Sequence, residues 1–96
     1  MLPKLRPPTH PGQMLLKEFL EPMRLTQSEL ARRLKWPYAR LNGIVNGKRG
    51  VTAGSALALG DCFNTGAEFW MNLQRDWDLW RAKRRHKTRP PIARAG

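Results

Sequence analysis

The stretch Thr26–Asn46, TQSELARRLKWPYARLNGIVN, holds two short helical patterns on either side of Lys35-Trp36-Pro37. In the first, Leu30 and Leu34 share one helical face, with the small Ala31 beside them. In the second, Leu41, Ile44 and Val45 form an apolar stripe at i, i+3 and i+4. Helices this close in sequence cross steeply, and Ala31 supplies the small residue needed where they touch. Thr26 and Glu29 are spaced as a capping box, which fixes the start of the first helix. Pro37 pushes Trp36 toward extended geometry and opens the second. The pattern is that of a helix-turn-helix. Its second helix turns Tyr38, Ala39, Arg40, Asn42, Gly43 and Asn46 outward, and Arg and Asn side chains match guanine and adenine edges in the major groove. The expectation is sequence-specific binding of double-stranded DNA.

Each of these residues has a role in that expectation. Gln27, in the first turn, can hold a phosphate together with the helix N-terminal N–H groups. Arg40 and Asn42 are the candidate base readers, with help from Tyr38 or Ala39. Tyr38 either meets the DNA backbone or packs on Trp36, which is assigned to the core. Gly43 costs about 1 kcal/mol relative to Ala in mid-helix. Either close approach to DNA or tight packing on another helix would account for it. Lys48 and Arg49 follow the recognition helix where a phosphate backbone would run. Each predicts a loss of about one from the salt slope of binding when removed.

The flanks complete an all-α chain. Pro11 can occupy the first turn of an opening helix whose apolar residues are Leu15, Leu16, Phe19 and Leu20 and which Pro22 ends. Asn46-Gly47 and Asn64 are left-handed stops. Thr52 can cap a fourth helix bearing Ala56, Leu57, Leu59 and Phe63. Thr65 and Glu68 have the spacing of a second capping box. Phe69, Trp70, Leu73, Trp77 and Trp80 then define a long amphipathic fifth helix reaching the mid-80s. Trp70, Leu73, Trp77 and Trp80 are the candidate core or dimer-interface residues. Cys62 reads as a small buried hydrophobe. This divides the chain into an extended arm (1–9), a helix-turn-helix and dimerisation domain (10–86) and a flexible basic tail (87–96).

The charge is +11, from 18 Lys plus Arg against 7 Asp plus Glu. Such an excess favours polyanions. It is uneven, because Arg81, Lys83, Arg84, Arg85, Lys87, Arg89 and Arg94 stand in a C-terminal stretch with no acid. That stretch could grip phosphates, meet an acidic partner or maintain solubility. Ninety-six residues make one domain with a small core, so dimerisation is an expected source of stability. One cysteine and two distant histidines exclude a disulfide framework and a Cys-rich zinc site. No metal or cofactor is expected. No His/Cys/carboxylate cluster or glycine-rich phosphate loop supports an enzyme. No apolar run approaches the ~20 residues of a membrane span, and no secretory signal is present, so a cytoplasmic location is expected.

From His10 to Trp80 the chain resembles the HigA-type antitoxins of the XRE/lambda-repressor-like group. The resemblance is carried by His10-Pro11-Gly12 with Leu16, Phe19, Leu20 and Pro22, and by Thr26-Gln27-Ser28-Glu29-Leu30-Ala31. It continues through Arg40, Leu41, Asn42, Ile44, Val45, Asn46, Gly47, Lys48 and Arg49. It ends with Val51-Thr52, Ala56, Leu57, Glu68-Phe69-Trp70-Met71-Asn72-Leu73-Gln74 and Asp78-Leu79-Trp80. It implies a five-helix bundle that forms a homodimer and binds a palindromic operator before its own operon. It also implies neutralisation of a small basic ribonuclease toxin of the RelE-like, HigB type. Some members are stand-alone regulators with no toxin. The chain departs from the family pattern at Lys35, where Gly is common, at Trp36-Pro37-Tyr38, where small residues are common, and in the strength of its basic tail.

Overall fold

The computed structural model describes residues 6–93, and its regular elements are all helices. α1 has three contiguous pieces: α-helical Pro11–Leu15, π-helical Leu16–Leu20 and α-helical Glu21–Met23. α2 spans Gln27–Leu34, α3 Tyr38–Val45, α4 Ala53–Phe63 and α5 Ala67–Lys83. The expected five-helix order is therefore present. Residues 6–9 precede the bundle without regular structure, and from His86 to Arg89 and on through residue 93 the tail is exposed and non-helical. The parts of the arm and tail at residues 1–5 and 94–96 lie outside the described residues.

Proline placement shapes α1. His10 is its N-cap and accepts the Gly12 N–H on Nδ1 at 2.9 Å, with Pro11 at the first helical position. Pro22 does not end the helix. It sits in the last turn, where a missing N–H and a ring aimed at the preceding turn would disrupt α geometry. The π segment absorbs this: Glu21 donates its N–H to the Leu16 carbonyl, five residues back.

Left-handed residues stop the first four helices: Arg24 (φ 54°), Lys35 (φ 60°), Gly47 (φ 74°) and Asn64 (φ 56°). At Lys35 the Trp36 N–H reaches the Ala31 carbonyl at 2.9 Å and the Lys35 N–H reaches Arg32 at 3.2 Å, the paired bonds of a Schellman stop. The turn thus keeps the geometry glycine would supply, at the strain of a β-carbon in the left-handed region. Gly47 closes α3 in the same way, with its N–H on Ile44 and the Lys48 N–H on Gly43.

The core is Leu15 and Leu20 of α1, Leu30 and Ala31 of α2, Leu41, Ile44 and Val45 of α3, then Val51, Ala56, Leu59 and Trp70. Ala31 is buried, as its position at the α2–α3 crossing requires. Gly12 brings α1 onto the end of α3, since a β-carbon there would collide with the Ile44 carbonyl. Phe19 gathers Phe63 and Trp70 at centroid separations of 4.9 and 5.4 Å.

Besides Pro22, further sequence expectations need correction. Trp70 has no exposed surface, so it is a core residue and cannot contribute to a dimer face. Its indole N–H donates to Thr65 Oγ1 at 2.8 Å. That hydroxyl instead donates to the Gly66 carbonyl, so no second capping box forms and Gly66 (φ 81°) is the N-cap of α5. Leu57 is 59% exposed, because α4 buries Ser55, Ala56, Leu59 and Gly60 on the opposite side. Cys62 is also exposed, beyond that buried stripe.

Two buried polar side chains tie the α3–α4 loop and the start of α1 to α5. Gln74 accepts the Val51 N–H on Oε1 at 2.6 Å and donates from Nε2 to Asp78 at 2.9 Å. This pins the loop between α3 and α4. His10 meets Trp77 edge-on at 5.0 Å, fixing the start of α1 against the same helix.

Candidate nucleic-acid interface

The start of α2 and the outer face of α3 form one polar surface. The capping box that orients α2 is intact: Glu29 N–H donates to Thr26 Oγ1 at 3.1 Å and Thr26 N–H to Glu29 Oε1 at 2.9 Å. The next residue, Gln27, opens α2 and accepts a hydrogen bond from Asn42 Nδ2 at 3.1 Å. Asn42 also donates to the Tyr38 hydroxyl at 3.4 Å and accepts from Asn46 Nδ2 at 3.0 Å. Four residues from two helices thereby form one network with Asn42 at its centre.

Both amide hydrogens of Asn42 are engaged, while Gln27 keeps its whole –NH₂ group. Tyr38 keeps its hydroxyl proton and Asn46 keeps a carbonyl oxygen and one amide hydrogen. Asn46 therefore retains the adjacent donor and acceptor that pair with an adenine edge. Tyr38 and Asn46 are exposed, as is Ala39 between them, and Tyr38 is 50% exposed rather than packed away.

Arg40 stands apart from this network. Its guanidinium lies 4.1 Å from the Trp36 ring centroid and donates to Ser55 Oγ of α4 at 3.0 Å. Trp36 is half-buried and packs on the core, so its outer face serves as a shelf for Arg40. Gly43 has a third explanation, different from both expected ones: a β-carbon there would stand 3.0 Å from Arg49 Cδ. The missing side chain leaves room for Arg49 to lie across α3. Lys48 and Arg49 are exposed, and both donate backbone N–H groups to the Gly43 carbonyl. The described ion pairs are Lys17–Glu21 and Arg75–Asp76, so the cations of this surface are uncompensated.

On α5, Trp80 packs against Trp77 with centroids 5.3 Å apart and the rings tilted by 41°, and it carries Arg84 over its ring at 5.0 Å. Leu73, Trp77 and Trp80 are half-buried within one chain, and Leu79 is 49% exposed beside them. Three residues to which the sequence assigned no role in the site matter here. Ser55 is buried under Arg40 and accepts its bond from the N3 position after the Thr52 cap. His10 had a readable signal, since it precedes a proline at a helix start. Gln74 had another, four residues after Trp70 on the buried side of α5. Among the described residues no group of His, Cys, Asp and Glu side chains could hold a metal ion, and no helix is long and apolar enough to cross a membrane.

Residues 16–70 match the Helix-turn-helix family model, a span covering α2, α3, α4 and most of α1. The chain belongs to this helix-turn-helix family. Within it, the chain is 37% identical to YbaQ, an HTH-type transcriptional regulator of Escherichia coli K12, over 93% of this chain and 79% of that one. It is 37% identical to antitoxin HigA-1 of Vibrio cholerae over 85% of this chain and 77% of that one. The Pseudomonas aeruginosa antitoxin HigA, solved with the higBA promoter, superposes with a TM-score of 0.79 at 42% identity. That match covers 81% of this chain and 85% of that one. The helix-turn-helix chain thus has the fold of the HigA-like DNA-binding antitoxins, and these relatives are regulators and antitoxins rather than enzymes.

Proposed function

We propose that this protein is the antitoxin of a type II toxin–antitoxin pair: a homodimeric repressor of its own operon that also binds and neutralises a RelE-like, HigB-type mRNA-cleaving toxin. The observation that carries the DNA half is the Gln27–Asn42–Tyr38–Asn46 network on α2 and α3. In a protein related to promoter-bound HigA, this network supports specific reading by pre-ordered amides.

The mechanism follows from that arrangement. Two copies pair through Leu73, Trp77 and Trp80 of α5, placing their α3 helices about one helical turn, ~34 Å, apart on a palindromic operator. The –NH₂ group of Gln27 and the Lys48 and Arg49 side chains take backbone phosphates and fix the register. Asn46 pairs with an adenine, Ala39 approaches the groove floor, and Tyr38 donates its hydroxyl proton. Asn42 holds these groups in one orientation, so little side-chain entropy is lost on binding. Dimer, toxin and operator together act in the cytoplasm at the nucleoid.

A second reading is a stand-alone regulator, which the relationship to YbaQ supports. Purification of the tagged protein at endogenous level, with mass spectrometry of what remains bound, separates the two. A stoichiometric small basic ribonuclease-like protein is expected. Recovery of the repressor alone, with specific DNA binding intact, would overturn the antitoxin half and leave the regulator.

A further inference from the structure

We infer that Arg40, which belongs to the recognition helix, binds the DNA backbone and not a base. With Arg49 it forms a two-arginine clamp for a phosphate. The inference rests on the DNA-binding reading above and deepens it.

Three observations carry it. First, the guanidinium plane of Arg40 is held from two sides, by the Trp36 ring at 4.1 Å and by the buried Ser55 hydroxyl at 3.0 Å. Stacked there, it is directed toward α4 and away from the Asn42–Asn46 network. Second, Arg40 and Arg49 line the same shallow cavity of about 380 Å³, together with Ile44, Gly50, Thr52 and Ser55. No carboxylate contributes to that lining, so two cations face one space with nothing to neutralise them. Third, the two arginines are brought there by dedicated features. Gly43 leaves room for the Arg49 stem. The Thr52 hydroxyl, donating to Ser55 Oγ at 3.2 Å, orients the group that receives Arg40.

Of the five N–H donors of Arg40, one is bonded to Ser55, and the others remain for a ligand. A planar fork with free donors beside a second cation fits the tetrahedral oxygens of a phosphodiester. A base edge does not fit this site, because a major-groove contact would require Arg40 to leave both the ring and the hydroxyl. Trp36 and Ser55 are accordingly positioning residues that act through Arg40. The expected signature is affinity without sequence information.

Fluorescence anisotropy with the full chain tests this. The probes are a duplex from the protein's own upstream region and single-base-pair variants across one half-site, each titrated over a range of KCl. Arg40→Gln removes the charge and keeps a polar side chain; Arg40→Lys keeps the charge and loses the fork. Circular dichroism confirms that both variants are folded. Arg40→Gln should weaken binding to every duplex by about tenfold, with the slope of log K against log[salt] falling by about one per protomer. The rank order of the base variants should not change. Arg40→Lys should restore the slope but only part of the affinity. If Arg40→Gln instead removes discrimination at one base pair while the slope stays, Arg40 reads a base and the clamp is overturned. If the wild-type chain itself fails to distinguish its upstream duplex from scrambled DNA, the repressor reading falls and the clamp with it.

Discussion

Lys35 shows what a single residue concedes to its turn. It occupies a left-handed conformation at φ 60° that the Schellman stop of α2 requires. A β-carbon in that region costs roughly 1–2 kcal/mol, and glycine avoids it at some loss of unfolded-state rigidity. Lys35→Gly should therefore raise stability by about 1 kcal/mol, read in thermal unfolding as a rise of about 4–8 °C. An unchanged or lowered midpoint would show that the turn tolerates lysine without strain. His10 makes a second residue-scale prediction. Burial lowers its pKa from 6.5, opposed by nearby Asp78 and reinforced by Arg81. The neutral ring is the one that caps α1 through Nδ1. A depressed folded-state pKa means that the unfolded chain binds the proton more readily, so stability is full above about pH 6.5 and falls as the pH drops below it. Urea unfolding at pH 7.5 and 5.5 should show this loss, and His10→Asn, which retains a capping oxygen, should reduce it. An equal pH response in both proteins would remove His10 as its source.

At the scale of elements, what was legible in the sequence was what local chemistry dictates. The Thr26–Glu29 box, the Gly47 and Asn64 stops, the Thr52 cap and the buried stripe of α3 all follow from short-range rules, and each is where those rules put it. The residues that went astray depend on how the surrounding helices settle, which capping and spacing rules do not encode. Pro22 stays inside α1 only because a π turn forms before it. Thr65 leaves its expected capping role because the Trp70 indole, once buried, needs an acceptor. The orientation of Arg40 toward Ser55 joins side chains fifteen residues apart, and helical periodicity carries no information about it. The same limit applied to α5, where an aromatic stripe did not distinguish core from surface. Trp70 is wholly enclosed, whereas Trp80 retains exposure and its neighbour Leu79 is 49% exposed. If α5 is the dimer element, Trp80→Ser should weaken self-association by about 2 kcal/mol or more while helix content persists. Sedimentation of the variant at micromolar concentration checks this. An unchanged dimer would move the interface to another face.

Across the whole molecule, charge and shape separate two tasks. The polar network, the α3–α4 loop and the uncompensated arginines share one side, and Gln74 and His10 fasten that side to α5. Arg81, Lys83, Arg84, Arg85, Lys87 and Arg89 continue from the end of α5 as exposed side chains with no acid among them. A cationic segment of this kind adds affinity for any duplex and no preference between sequences. Removing residues 84–96 should lower affinity for operator and scrambled DNA by similar factors and flatten both salt dependences. A selective loss of partner-protein binding would instead assign the tail to a protein interface. Sequence recognition would remain with α2 and α3.

The most direct test of that division is a titration of the purified chain against the DNA upstream of its own gene and against a scrambled duplex of equal length, both at physiological salt. The account predicts at least about a thousandfold tighter binding to the upstream duplex. That ratio should collapse in Asn42→Ala, which dismantles the network, while the non-specific affinity survives. Equal affinities for the two duplexes, declining together as salt rises, would contradict the central claim and leave only a basic protein that binds polyanions without reading them.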